Sequence, residues 1–123
     1  MPTGPLSLLV VAAGGALGSV LRYLVAVAAV EGFGLLYPWA TIAVNVLGSA
    51  AIGVAAGLGV SGEWRLFLVT GVLGGFTTFS AFSLDTGLLF EQRSGIDAAL
   101  YVGATIALGL LAFGLGYGLV RRG

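Results

Sequence analysis

The chain has 123 residues, 59% hydrophobic and 8% charged, with a mean hydropathy of +1.11, against about 25% charged residues in soluble domains. Cysteine, histidine and lysine are absent and the formal net charge is zero, which excludes thiol chemistry, imidazole acid/base or metal work and Schiff-base formation. With no basic run, neither nucleic-acid binding nor polybasic lipid docking has an electrostatic basis.

Apolar runs cover residues 6–21 and, past Arg22, continue to 30; they recur at 33–62, 66–84 and 98–120. Each can span a hydrocarbon core, which needs about 20 helical residues. The expected fold is therefore an all-α membrane protein of four transmembrane helices, one integral-membrane domain over 1–123 with connections around 31–37, 60–65 and 91–97. No ATPase, receptor or extramembrane enzyme module fits in those connections. The first run exceeds the roughly 7–15 residues of a signal-peptide core, so helix 1 is expected to be retained.

Helix 1 carries Gly14, Gly15 and Gly18 in a small-residue pattern suited to close helix packing in lipid. Arg22 follows, and a guanidinium within a span lines a water-filled cavity, meets a partner or snorkels to the interface. Helix 2 starts after Pro38 and Trp39, and its Thr41, Asn45 and Ser49 recur every four residues, making one polar stripe. Asn45 is the only carboxamide in any span; it serves either a helix-to-helix hydrogen bond or the polar wall of a conduit. Helix 4 opens with Tyr101 and Thr105, again four apart, and ends at the anchors Arg121 and Arg122.

Helix 3 holds the most unusual stretch, GVLGGFTTFSAFSLD at 71–85. Where lipid offers the backbone no water, a diglycine followed by a hydroxyl cluster predicts a helix broken near its middle, at Gly74 and Gly75, lining a protein-enclosed path. Phe79 and Phe82 fall near one face, with Ser80 and Ser83 each one position on. Ring edges are positive and hydroxyls donate, so an anion can pass them, helped by the field of Arg22. Carbonyls freed by the break also suit a small hard cation, and sodium is chemically plausible.

Arginines are nearly balanced across the membrane. Arg65, Arg121 and Arg122 share the face of both termini, while Arg93 and the nearer Arg22 occupy the other. So weak a bias predicts insertion in both orientations and antiparallel pairing.

These motifs carry a resemblance. GGALGSVLRY at 14–23, the Asn45 and Gly48 of VNVLG, and above all GGFTTFSAFS at 74–83 closely resemble the CrcB, or Fluc, fluoride channel family, in order along the whole chain. The resemblance implies an antiparallel, dual-topology homodimer, or a heterodimer of paralogues, in the inner (plasma) membrane. It implies two pores that pass fluoride passively out of the cell and relieve its toxicity. By the same resemblance Phe79 and Phe82 form an aromatic box, Asn45 and Arg22 serve the pore and its vestibule, and Ser80, Ser83, Tyr101 and Thr105 line the path. A structural Na+ at the dimer centre falls on backbone carbonyls of Gly74 and Thr77. Asp85, where the family usually has glutamate, Ala81 and Gly109 depart from its pattern; Gly109 interrupts the polar track begun by Tyr101 and Thr105. The alternative function is a small dual-topology, proton-coupled exporter of cationic compounds, for which Asp85, read at the end of helix 3, is the only candidate carboxylate.

Overall fold

The computed structural model describes residues 3–34 and 38–122, and all regular structure among them is helical, with no strand. Four helical spans are long and apolar enough to cross a membrane: Pro5–Gly32, Trp39–Leu58, Gly62–Gln92 and Gly95–Arg122. Of the expected connection at 31–37, residues 35–37 lie outside the described set.

Helix α1 (Pro5–Val27) opens on a proline, whose missing N–H costs nothing in a first turn, and runs into a π-helical turn at Ala28–Gly32. Helix α2 (Trp39–Leu58) stops where Gly59 adopts a left-handed φ of 71°. There the Val60 N–H bonds Ala55 O at 3.2 Å and the Gly59 N–H bonds Ala56 O at 3.1 Å, a glycine cap closing otherwise orphaned carbonyls.

The third span is composite. It begins as α3 (Gly62–Arg65), widens into π-type bonding over Leu66–Leu73, and returns to α4 (Gly74–Phe76). Thr77 (φ −83°, ψ 157°) and Thr78 (φ −151°, ψ 120°) are extended, after which α5 (Phe79–Gln92) resumes. Freed backbone was expected at Gly74 and Gly75, but both glycines are helical. Their smallness serves approach instead: a Cβ on Gly75 would lie 2.6 Å from Gly15 O. The span also outlasts its apolar run, and Asp85 sits inside α5 rather than at a helix end, buried to 6% exposure.

Two pairs of helices are packed backbone to backbone. On α1, Gly14 meets Phe67 and Gly71, Gly15 meets Gly75 and Gly18 meets Val72, so contacts advance together along both spans and the pair is parallel. The second pair joins α2 to α6 (Gly95–Arg122), with Gly53 against Phe113 and Gly116 against Ala50. Lipid gives no hydrophobic drive between helices, so such close van der Waals contact is what holds them. Leu89, Ala98 and Tyr101, with Ile42 and Phe82 against them, join α5 to α2 and α6. Large apolar side chains such as Leu6, Leu9, Leu110 and Leu119 cover the outside, as a bilayer requires.

Gly18→Val should therefore destabilise the fold by about 1–3 kcal/mol through overpacking. Gly103→Ala, whose new methyl meets nothing within 4 Å, should be nearly silent. Thermal unfolding of the two purified variants in one detergent measures the difference.

Candidate functional site

Thr78 is the most heavily bonded residue of the third span. Its N–H donates to Asn45 Oδ1 at 2.8 Å, and its carbonyl accepts from Asn45 Nδ2 at 3.0 Å. Its hydroxyl accepts the Ala81 N–H at 3.1 Å, the bond of a helix N-cap, and lies 3.2 Å from Ser80 Oγ. The Asn45 carboxamide thus stands in for a missing backbone neighbour, satisfying donor and acceptor of an extended residue.

That substitution has an effect one turn earlier. In an unbroken helix the Thr78 N–H would close on Gly74 O; given to Asn45, it leaves that carbonyl without its usual donor. Gly75 O accepts instead from Arg22 Nε at 3.1 Å. Leu73 O takes both the Thr77 N–H at 3.0 Å and the Thr77 hydroxyl at 2.9 Å. Gly48 leaves the space in α2 that the Thr77 methyl fills. Arg22 is accordingly tied to the third span. It lines a 130 Å³ cavity with Thr41, Val44, Thr78 and Ala81 among others.

A 290 Å³ cavity lies on the other side of Thr78. Asn45, Ser49, Ile52, Thr77, Thr78, Phe79, Phe82, Thr105 and Ile106 line it, so no ionisable side chain does. A 350 Å³ cavity continues from Asn45, Ser49 and Thr105 to Gly109 and Phe113. Among the described residues the buried Thr105 hydroxyl has no hydrogen-bond partner, which is costly for a group with a donor and two lone pairs. Gly109 would place a Cβ 3.5 Å from Ser49 Oγ, so the gap feared in the polar track is occupied by a hydroxyl from α2.

The aromatic rings form a short series. Phe79 and Phe82 are 5.5 Å apart and tilted by 58°, and Phe82 lies 5.2 Å from Tyr101. Phe79 remains 78% exposed. Tyr101 lines neither cavity; it is buried behind Phe82, its hydroxyl donating to Asp85 Oδ2 at 3.3 Å. Ser80 and Ser83 are exposed and line neither cavity, Ser83 bonding back to Phe79 O at 3.0 Å. Of the candidate residues, the structure brings Asn45, Phe79, Phe82 and Thr105 together. It sets Arg22 in the adjacent cavity and leaves Ser80 and Ser83 exposed and Tyr101 buried, all three outside both cavities.

Residues 9–117 match the family model described as CrcB-like protein, Camphor Resistance (CrcB). The chain belongs to the CrcB family. Among relatives in the CrcB family, a fluoride-specific ion channel FluC of Rhodospirillum centenum is 51% identical over 119 residues, covering 93% of this chain and 94% of the relative. Proteins of that same name from Rhizobium meliloti and Agrobacterium fabrum are each 49% identical, covering 93% and 95% of this chain and 95% and 98% of their own lengths.

Ser49, the last member of the four-residue polar stripe read on α2, lines both cavities with Asn45. One site residue escapes a reading by motif alone. Thr78 was visible only as one hydroxyl in a cluster. Its role depends on Asn45, 33 positions away, and nothing local signals that pairing.

Removing the Asn45 side chain should expose what it holds. In Asn45→Ala the Thr78 N–H and C=O lose their partners at about 1–3 kcal/mol each, and amide hydrogen exchange at Thr78 should accelerate by about tenfold or more. Asn45→Asp, which keeps an acceptor for the Thr78 N–H but has no donor for its carbonyl, should fall between. Unchanged exchange in Asn45→Ala would show that the clamp holds nothing.

Proposed function

We propose that this chain forms half of a fluoride-specific ion channel, a channel rather than an enzyme, that lets fluoride leave the cell passively and so relieves its toxicity. The observation that carries this reading is the lining of the 290 Å³ cavity: hydroxyl and amide groups beside two phenyl rings, with no charged side chain among them. The name shared by relatives near 50% identity supports it.

Fluoride gives up its water only where donors replace it along the path. The unpartnered Thr105 hydroxyl, Ser49 and the second N–H of Asn45 are such donors, and the rims of Phe79 and Phe82 present positive edges. Tyr101 packs on Phe82 and fixes the tilt of its ring. Arg22, in the neighbouring cavity, raises the local potential for an anion. An inside-negative membrane favours outward movement by about 2.3 kcal/mol per 100 mV for each charge, so no coupling reaction is required.

The site reads as incomplete in one copy. Phe79, 78% exposed at the cavity edge, and the exposed Ser80 and Ser83 fit a surface that a second, inverted copy covers in the inner membrane, giving two pores. That copy is the same chain or a paralogue. The interrupted third span then serves assembly as well as permeation. Gly74 O, deprived of the Thr78 N–H, and the carbonyl of the extended Thr77 have the chemistry to hold a sodium ion between the copies. When bound, the ion would neutralise carbonyl dipoles that would otherwise repel each other. Among the described residues no group of three acidic, histidine or cysteine side chains could hold a metal, so backbone oxygens are the fitting donors.

Liposomes carrying the purified protein should release fluoride rapidly and chloride hardly at all, followed with ion-selective electrodes. Phe79→Ile and Phe82→Ile should each abolish the fluoride flux, and chloride efflux comparable to fluoride would refute the assignment. Replacing sodium on both sides with a large organic cation should lower fluoride efflux. Efflux that ignores the exchange would remove sodium from the account.

A further inference from the structure

The N-terminal ends of the first and third spans hold a feature that anion passage does not use. Ser7, 6% exposed, donates its hydroxyl to Glu63 Oε1 at 3.1 Å. Among the described residues, Ser7 is the hydrogen-bond partner of the Glu63 side chain, and none forms an ion pair with it. Beside it lies a 280 Å³ cavity lined by Val10, Glu63, Trp64 and Phe67. Trp64 and Phe67 meet edge to face, 6.4 Å apart at 86°, and Trp64 is 69% exposed.

We propose that this cavity is a binding site for an amine-bearing phospholipid, phosphatidylethanolamine. Depth argues for lipid. Val10 lies about 8 Å into α1 from its start at Pro5, at 1.5 Å per residue, while an exposed tryptophan marks headgroup level. The cavity therefore runs from the headgroups into the acyl region. Its walls are almost wholly apolar, Glu63 being the one charged residue beside them, so water gains little there and an acyl chain fills it well. Charge argues for the amine. Glu63 has an oxygen to spare at the rim, and an ammonium donates N–H bonds to it that a trimethylammonium cannot. A primary ammonium pairs with Glu63; an anionic glycerol headgroup would leave it unpaired.

The chain has two tryptophans, so Trp39→Phe leaves Trp64 as the sole reporter in the intact channel. This protein is reconstituted with increasing fractions of dibrominated phosphatidylethanolamine, phosphatidylcholine or phosphatidylglycerol, and quenching of Trp64 is read. The amine lipid should associate about fivefold more tightly than the choline lipid, the scale of one charge-assisted bond at an interface. In Glu63→Gln on that background the two should become equal. Equal quenching by all three lipids with Glu63 intact, or strongest quenching by the glycerol lipid, overturns the proposal without recourse to any variant. A Glu63→Gln protein that folds and keeps the amine preference overturns it as well.

Discussion

A helix interrupted inside a bilayer must find partners for the backbone groups it releases, and here one carboxamide does so. Asn45 pairs with both the N–H and the C=O of Thr78. Without that pair, two polar groups would lose their partners at about 1–3 kcal/mol each, and a continuous helix would be the better solution. The rest follows from it. Thr78, held extended, becomes the cap of α5, which fixes where that helix starts and puts Phe79 and Phe82 in its first turn. The N–H taken by Asn45 is the one Gly74 O would have used. One interaction between α2 and the third span thus sets the start of a helix, the place of two rings and the release of a carbonyl.

The helix pairs around this clamp are built for stiffness. Gly14, Gly15 and Gly18 bring α1 against the third span, and Gly53 and Gly116 bring α2 against α6, with backbone touching backbone in both pairs. Close backbone contact leaves little freedom for sliding, since any shift drives a turn of one helix into the other. The cavities fall where α2, α6 and the third span meet around Asn45, Ser49 and Thr105. Two of their walls, α2 and α6, are therefore pinned to each other.

Much of this was legible in the sequence. The four spans follow from uncharged apolar runs, because a bilayer imposes a length that few soluble segments meet. The polar stripe of α2 and the Tyr101 and Thr105 spacing follow from helical periodicity, and the glycine pattern of α1 from the needs of packing in lipid. What escaped depended on partners distant in the chain. The diglycine signals irregular backbone, yet Gly74 and Gly75 remain helical because their room is used by α1, and the extended residues come later, where Asn45 can reach them. Asp85 looked like a span end because carboxylates seldom lie inside one. Tyr101, 16 positions on, makes it tenable within α5. Ser80 and Ser83 share a segment with Phe79 and Phe82 but not their cavity, since adjacent helical positions point about 100° apart.

Ser49 and Gly109 show what kind of unit the cavity wall is made of. The hydroxyl of one helix occupies the space beside the bare backbone of the other, a Cβ at Gly109 lying 3.5 Å from Ser49 Oγ. The conserved quantity in such an arrangement is a location in space, and the two helices can trade ownership of it. A chain with glycine in α2 and serine in α6 at these places would present its oxygen to much the same point, so the two positions are best regarded as a single slot filled from either wall.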